Sequence, residues 1–260
     1  MAGVRFVAEI SGNHAQNLEN ALQLIREAKK LQAEVKFQCF HPEKLANARA
    51  AGHLGEQYSY DQLKKIYLKT YTPSSWWPSI KKELADWPWS CSVFSEEDLE
   101  FMEYIRCPRY KIASFELQNL GLIKAVARKC KPIVVSVNDT HKREDVLNAW
   151  DTIIPHHRNV TFLYATPYDK FDIMEAYAGA VWLSGEAPPQ AHLGLSDHSP
   201  PGDTKLGRMC AESWLVNMIE RHLALPGVKT ADSQFSDTPE QFEAYMGKIS
   251  VYANNSTLTD

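Results

Sequence analysis

The sequence predicts an α/β protein, a single (β/α)8 TIM barrel. Three observations carry this. Short apolar runs rich in strand formers alternate with amphipathic stretches along the whole chain. About eight such strand-then-helix units fit within 260 residues, the usual size of this barrel. An open doubly wound sheet would carry a glycine-rich loop after its first strand, and here that strand runs into SGNHAQN, without G-x-G-x-x-G.

The elements follow in order. Val4 to Ile10 is the first strand. In the helix after it, Leu18, Ala21, Leu22, Ile25, Ala28 and Leu31 fall at helical spacing. VKFQCF is the second strand. A longer insert spans His41 to about Thr72, and a helix follows near Ser74 to Leu84. WSCSVF is the third strand, and Ser95 opens the helix EEDLEFMEYI, with Asp98 placed to cap its start. Five further pairs complete the chain: RYKIAS with LQNLGLIKAVARK, PIVVSV with THKREDVLNAW, NVTFLYA with FDIMEAYAGAV, HLGLS with GDTKLGRMCAES, and WLVNMIE with TPEQFEAYMGKISVYA. No proline- or serine-rich linker divides them, so residues 1–260 read as one domain with a polar, fraying tail, NNSTLTD.

Composition narrows the function. With 44% hydrophobic and 23% charged residues the chain is globular rather than disordered. A net charge of -4 gives no general attraction to nucleic acid or to an anionic membrane. No apolar run is long enough to cross a bilayer, and the N-terminal stretch lacks a signal peptide's apolar core, which predicts a cytoplasmic protein. The five cysteines are odd in number and form no C-x-x-C pair, so buried thiols are expected rather than a disulfide framework or a zinc site. Trp76, Trp77, Trp87 and Trp89 lack a surrounding basic stripe and are expected to pack between a helix and strand three rather than to stack on bases.

In such barrels the active site lies at the C-terminal ends of the strands. Polar residues at those positions are Glu9, Asn13 and His14; Lys36 and Gln38; Ser92; Lys111, Ser114 and Glu116; Ser136 and Asn138; Tyr164, Thr166 and Tyr168; Ser196, Asp197 and His198; and Glu220 and His222, with Asp232 in the loop beyond. Lys36 and Lys111 sit inside apolar runs, where a charge is costly unless paired. With Ser114, Ser136 and Ser196 they would form a pocket for a multiply charged anion bearing a phosphate and a carboxylate. The alternative is that each lysine pairs with a glutamate to plug the barrel. His198 and His222 end adjacent strands, and two neutral imidazoles close together suit a divalent transition metal, against the alternative of hydrogen-bonded core histidines. His141, His156, His157 and His192 fall at helix starts or in loops and are expected on the surface.

AEISGNHAQNLENALQLIREAKKLQAEVKFQ, YKIASFELQN, PIVVSV, GLSDHS, IERH and ADSQFSDTPEQFE, in this order, resemble the sialic acid (N-acetylneuraminate) synthase family over almost the whole chain. The resemblance implies a transferase that condenses phosphoenolpyruvate with an N-acylated hexosamine such as N-acetylmannosamine, giving a nonulosonic acid and phosphate. It implies a divalent metal held by His198 and His222, manganese before magnesium or cobalt, that polarises the sugar aldehyde. Glu9 then stands near the metal and its water. Lys36, Lys111, Ser114, Ser136 and Ser196 hold phosphoenolpyruvate, and Gln38, Glu116 and Asp232 lie at the sugar end. Ser92 stands where the family has threonine. Glu9, Lys36, Lys111 and Glu116 are the catalytic candidates.

Some positions depart from the pattern. The chain stops at Asp260, so the family's C-terminal antifreeze-like domain, which brings an arginine to the partner's sugar site, is expected to be absent. A homodimer or a partner chain would then complete the sugar end. SCSVF, SVND and YATPYD replace the family's loop sequences after strands three, five and six. Those changes leave two other functions open: condensation of phosphoenolpyruvate with another aldehyde such as a sugar phosphate, and a non-catalytic barrel subunit paired with a full-length synthase.

Overall fold

Side-chain alternation along each strand organises the structure. In the computed structural model, which describes residues 3–51, 58–167 and 170–255, eight parallel strands follow one another in chain order. They are β1 (Arg5–Glu9), β2 (Glu34–Cys39), β3 (Trp89–Val93), β4 (Tyr110–Ile112), β5 (Ile133–Val137), β6 (Val160–Ala165), β7 (His192–Asp197) and β8 (Met218–Leu223). β8 pairs with β1, which closes the barrel. Helices α1 (Leu18–Lys30), α2 (Pro42–Ala50), α3 (Tyr60–Thr70), α4 (Trp77–Leu84), α5 (Glu96–Tyr104), α6 (Leu120–Ala127), α7 (Arg143–Ile153), α8 (Ile173–Glu186), α9 (Lys205–Glu212) and α10 (Pro239–Asn255) surround it. No helix among the described residues is long and apolar enough to cross a membrane.

Local sequence accounts for most boundaries. Asn17 starts α1 by accepting from the backbone N–H groups of Glu19 and Asn20. Ser95, rather than Asp98, caps α5: its hydroxyl oxygen accepts from the Asp98 backbone N–H at 3.2 Å and donates to the Asp98 carboxylate at 2.7 Å. Asp98 sits one turn too late to be the cap. The described residues of the long insert hold two helices, α2 and α3. The run WLVN is no strand. Trp214 takes a positive φ of 56° and its N–H bonds back to the Ala211 carbonyl, closing α9. The eighth strand therefore starts later than its apolar pattern suggested, and it contains Glu220, Arg221 and His222. A two-residue strand, β9 (Ser236–Asp237), lies beside β8 and has no signal in the sequence.

Residues on the outward face of the strands (Val35, Phe37, Cys91, Tyr110, Ile112, Val135, Phe162, Leu195, Ile219) are fully buried against the helices. The tryptophans join this layer: Trp77 stacks near Trp89 at 5.7 Å and near Phe37 at 5.2 Å, and Trp87 donates to the Ala33 carbonyl. Cys39, Cys91, Cys107 and Cys210 are buried free thiols, and Cys130 is exposed.

The barrel interior changes character from bottom to top. Arg5 and Arg109 pair with Glu34 at the N-terminal mouth. Above them Val7, Val134, Leu163 and Met218 form an apolar layer. Gly194 provides its space: a Cβ there would sit 2.2 Å from Leu163 and 2.7 Å from the Met218 carbonyl. The next layer holds Glu9, Lys36, Lys111, Ser136, Ser196 and Glu220, all buried.

Gly194→Ala should therefore lower stability by about 1–3 kcal/mol through overpacking, read as a fall in the urea midpoint. Gly185→Ala on exposed α8, where a Cβ meets nothing within 4 Å, should cause no loss.

Candidate active site

Strand register brings distant charges together in the upper layer. Glu9 lies opposite Lys36 on one side and His222 on the other. The Lys36 ammonium is paired with one Glu9 oxygen, while the other accepts from the Ser11 backbone N–H at 2.6 Å. Lys111 donates to both oxygens of Glu220, at 2.9 and 2.8 Å, and Lys36 lies 3.5 Å from the same carboxylate. The Ser196 hydroxyl adds a bond to Glu220 at 3.0 Å. Each lysine is thus held by a glutamate, the pairing that the plugged-barrel alternative expects, and Glu220 bridges the two.

Burial and charge set these ionisations. Burial works against the Lys36 charge, but Glu220 and Glu9 outweigh it and push its pKa up. Burial opposes a charged Glu220, and Lys111 and Lys36 overcome it, holding the carboxyl well below the usual range. For Lys111, burial prevails despite Glu220, and with the like charge of Lys36 it lowers the pKa to about 8.

His198 and His222 meet at the ends of β7 and β8, their ring centroids 5.4 Å apart. Phe235 stands edge-on to both, at 5.2 and 4.8 Å. The His198 ring donates from Nδ1 to the Thr166 carbonyl at 2.5 Å, which leaves the lone pair on Nε2. Burial, then the neighbouring His222, lowers the His198 pKa to about 4, so the ring is neutral. His222 Nδ1 is buried without a hydrogen bond, 3.4 Å from the Asp232 carboxylate. A neutral imidazole of fixed tautomer and an unsatisfied ring nitrogen beside a carboxylate fit a divalent cation. Among the described residues no group of three His, Cys, Asp or Glu side chains forms a complete protein-only metal site. The histidine pair would leave coordination positions for water or substrate oxygens.

The remaining candidates divide. Ser92 is opposite Gln38 and Lys111 in register and, like Ser136, is buried on the inner face. Ser114 opens the turn after β4. Glu116 in the same turn has both oxygens engaged, one by Arg49 at 2.7 Å and one by Asn119 at 2.9 Å. Arg49 comes from α2 and lies 4.8 Å from the Phe115 ring. Asn13 is a structural pin: it donates to the Leu223 carbonyl and the Ser236 hydroxyl and accepts from Thr230. His14 is fully buried against Trp76, and burial lowers its pKa to about 4. Tyr164 faces α8, its hydroxyl filling the space over Gly179, and Asp197 also points away from the barrel axis. His141 sits half-buried in the loop after β5, accepting from the Asn138 N–H, rather than on the surface. Tyr168 lies outside the described residues.

The NeuB family matches residues 24–257. The chain belongs to the NeuB family. It is 32% identical over 245 residues to a pseudaminic acid synthase of Helicobacter pylori, covering 89% of this chain and 69% of that protein. A pseudaminic acid synthase of Campylobacter jejuni is 29% identical, covering 95% and 73%. A solved N-acetylneuraminic acid synthetase of Leptospira borgpetersenii shares the fold with a TM-score of 0.84 at 19% identity, covering 99% of this chain and 86% of that one.

Sequence reasoning did not find Arg49, Phe235, Arg221 or Asp237. Arg49 lies in an insert helix of weak amphipathicity. The other three lie within IERH and ADSQFSDTPEQFE, but their contacts depend on the β8–β9 pairing and are not readable from those segments.

Glu220→Ala would leave Lys36 and Lys111 facing each other in the barrel. A loss of about 3–5 kcal/mol is expected in denaturation experiments. Replacing Lys111 and Glu220 together with methionine should recover most of it, since the pair is then removed whole. An unchanged midpoint in Glu220→Ala would show that these charges do not hold the fold.

Proposed function

We propose that this chain condenses phosphoenolpyruvate with the open-chain aldehyde of an N-acylated amino sugar, producing a nonulosonic acid of the pseudaminic or sialic type and phosphate. The carrying observation is the pair of buried lysines, Lys36 and Lys111, joined through Glu220 to the strand that bears His222. Membership of the NeuB family, with synthases among its relatives, supports it.

Lys36 and Lys111, with Ser114, Ser136 and Ser196, hold the phosphate and carboxylate of phosphoenolpyruvate. Gln38, Ser92, Glu116 and Asp232 face the sugar, with Glu116 kept in place by Arg49. His198 and His222 would hold a divalent cation, manganese before magnesium or cobalt, which would supply Lewis acidity for the aldehyde. Carbon three of phosphoenolpyruvate bonds to the aldehyde carbon, and the aldehyde oxygen takes a proton. Water adds at carbon two, and Glu9 accepts the proton it releases. The carbon–oxygen bond to phosphate then breaks as the carbon-two hydroxyl gives up its proton and becomes the keto group, and phosphate leaves with its oxygen and that proton. The reaction belongs in the cytoplasm.

Phosphate release, with manganese present, should require both phosphoenolpyruvate and one N-acylated hexosamine from a panel that includes N-acetylmannosamine and its 6-phosphate. It should vanish in His222→Ala. Turnover with sugar phosphates alone would replace the acceptor, and no turnover with any sugar would count against catalysis by this chain.

The Lys111 pKa of about 8 fixes a pH dependence. Below that pH the ammonium is charged and attracts the substrate anion; above it the charge is lost. Phosphoenolpyruvate affinity should be flat below pH 8 and fall above it, by up to about tenfold per unit for one required proton. Calorimetry at pH 8 in buffers of different ionisation enthalpy should detect proton uptake on binding.

A further inference from the structure

Behind the histidine pair, between the barrel wall and α10, lies a buried charged cluster that the proposed reaction does not use. Arg221, Asp197 and Asp237 are at most 1% exposed. Asp197 and Arg221 are register partners across β7 and β8. The Arg221 guanidinium binds both oxygens of Asp237, from Nε to one and from Nη2 to the other at 3.1 Å. Its Nη1 donates to the Ser199 hydroxyl at 2.7 Å and lies 3.3 Å from Asp197. Asp197 accepts from the Tyr245 hydroxyl of α10 at 2.7 Å and from the Ser199 N–H at 2.9 Å. The Tyr245 ring lies 4.6 Å from the guanidinium. Asp237 also accepts from the Gly202 N–H at 2.7 Å.

Two features separate this cluster from ordinary packing. Burying three charges costs several kcal/mol per ion before pairing, and apolar residues of similar volume would often be as stable. Stability alone therefore does not explain it. The second feature is sequence position. Asp197 precedes His198 and Ser199 follows it, while Arg221 precedes His222. Any change in the Asp197–Arg221 spacing reaches both imidazoles through single peptide units. Residue packing protects the arrangement: a Cβ on Gly207 of α9 would sit 2.0 Å from the Tyr245 hydroxyl, so only glycine there lets Tyr245 reach Asp197.

We propose that Arg221, anchored by Asp197, Asp237 and Tyr245, is a positioning residue that sets the spacing of His198 and His222 for a divalent cation. The inference rests on the metal reading of that pair. Arginine suits the task because its planar fork spans two carboxylates at once, which a lysine ammonium does not.

The test is manganese affinity, measured from the electron paramagnetic resonance of free manganese ions at a temperature where circular dichroism shows each variant folded. Arg221→Met should weaken binding by about 10- to 100-fold, the range for outer-shell partners. Arg221→Lys should fall between that variant and the parent, and Tyr245→Phe should weaken binding less than Arg221→Met. Where Arg221→Met does not fold, Arg221→Lys and Tyr245→Phe carry the test. Variants that unfold more easily yet bind manganese as the parent does would overturn the proposal and leave a structural staple. His222→Ala is the reference. If the parent does not bind manganese, or His222→Ala binds it equally well, the metal reading fails and this inference falls with it.

Discussion

The carboxylate of Glu220, between Lys36 and Lys111, is the interaction on which the interior of this barrel depends. Two ammonium groups inside a closed sheet would repel each other and lack solvation. One bridging carboxylate, with Glu9 on Lys36, turns that liability into a balanced set of charges. The layer below, formed by Val7, Val134, Leu163 and Met218, keeps water from approaching from beneath. The polar layer above can then be reached only from the C-terminal mouth, where barrel enzymes place their chemistry.

The same register that pairs these charges sets the histidines beside them. On β8, Glu220 and His222 are two residues apart and share a face, while Arg221 between them points to the helices. One strand thus carries the carboxylate that bridges the lysines, one of the two imidazoles and the guanidinium behind them. The pairing register of β8 therefore fixes all three at once. Moved by one residue, it would turn all three side chains to the wrong face.

The fold was legible because eight alternations of apolar run and amphipathic helix leave few architectures at this length. Lys36 and Lys111 were legible as charges where apolar residues belong, and Glu9 as a carboxylate at a strand end. His198 and His222 were legible as a pair because their strands are consecutive. What stayed hidden depended on contacts between segments far apart in sequence. Arg49 reaches Glu116 from an insert helix, and Phe235 backs the histidines from a loop. Tyr245 looks like an ordinary aromatic on a helix until its hydroxyl is found on Asp197. The start of β8 comes later than expected because WLVN is apolar enough for a strand, while a positive φ at Trp214 puts that residue in the turn that closes α9. The Ser95 cap shows the same limit at short range: Asp98 has the right chemistry one turn too late.

Ring closure has a temporal consequence. Glu9 and His222 are direct neighbours across the β1–β8 seam, although they lie near opposite ends of the chain. Joining such distant segments comes at a high entropic cost and is slow. On the ribosome, Glu9 and Lys36 emerge early and must wait for β8, the last strand of the ring, before their counterparts exist. No nascent barrel or half-barrel can assemble this constellation, so a chain interrupted during synthesis would hold its early charges without the partners that balance them.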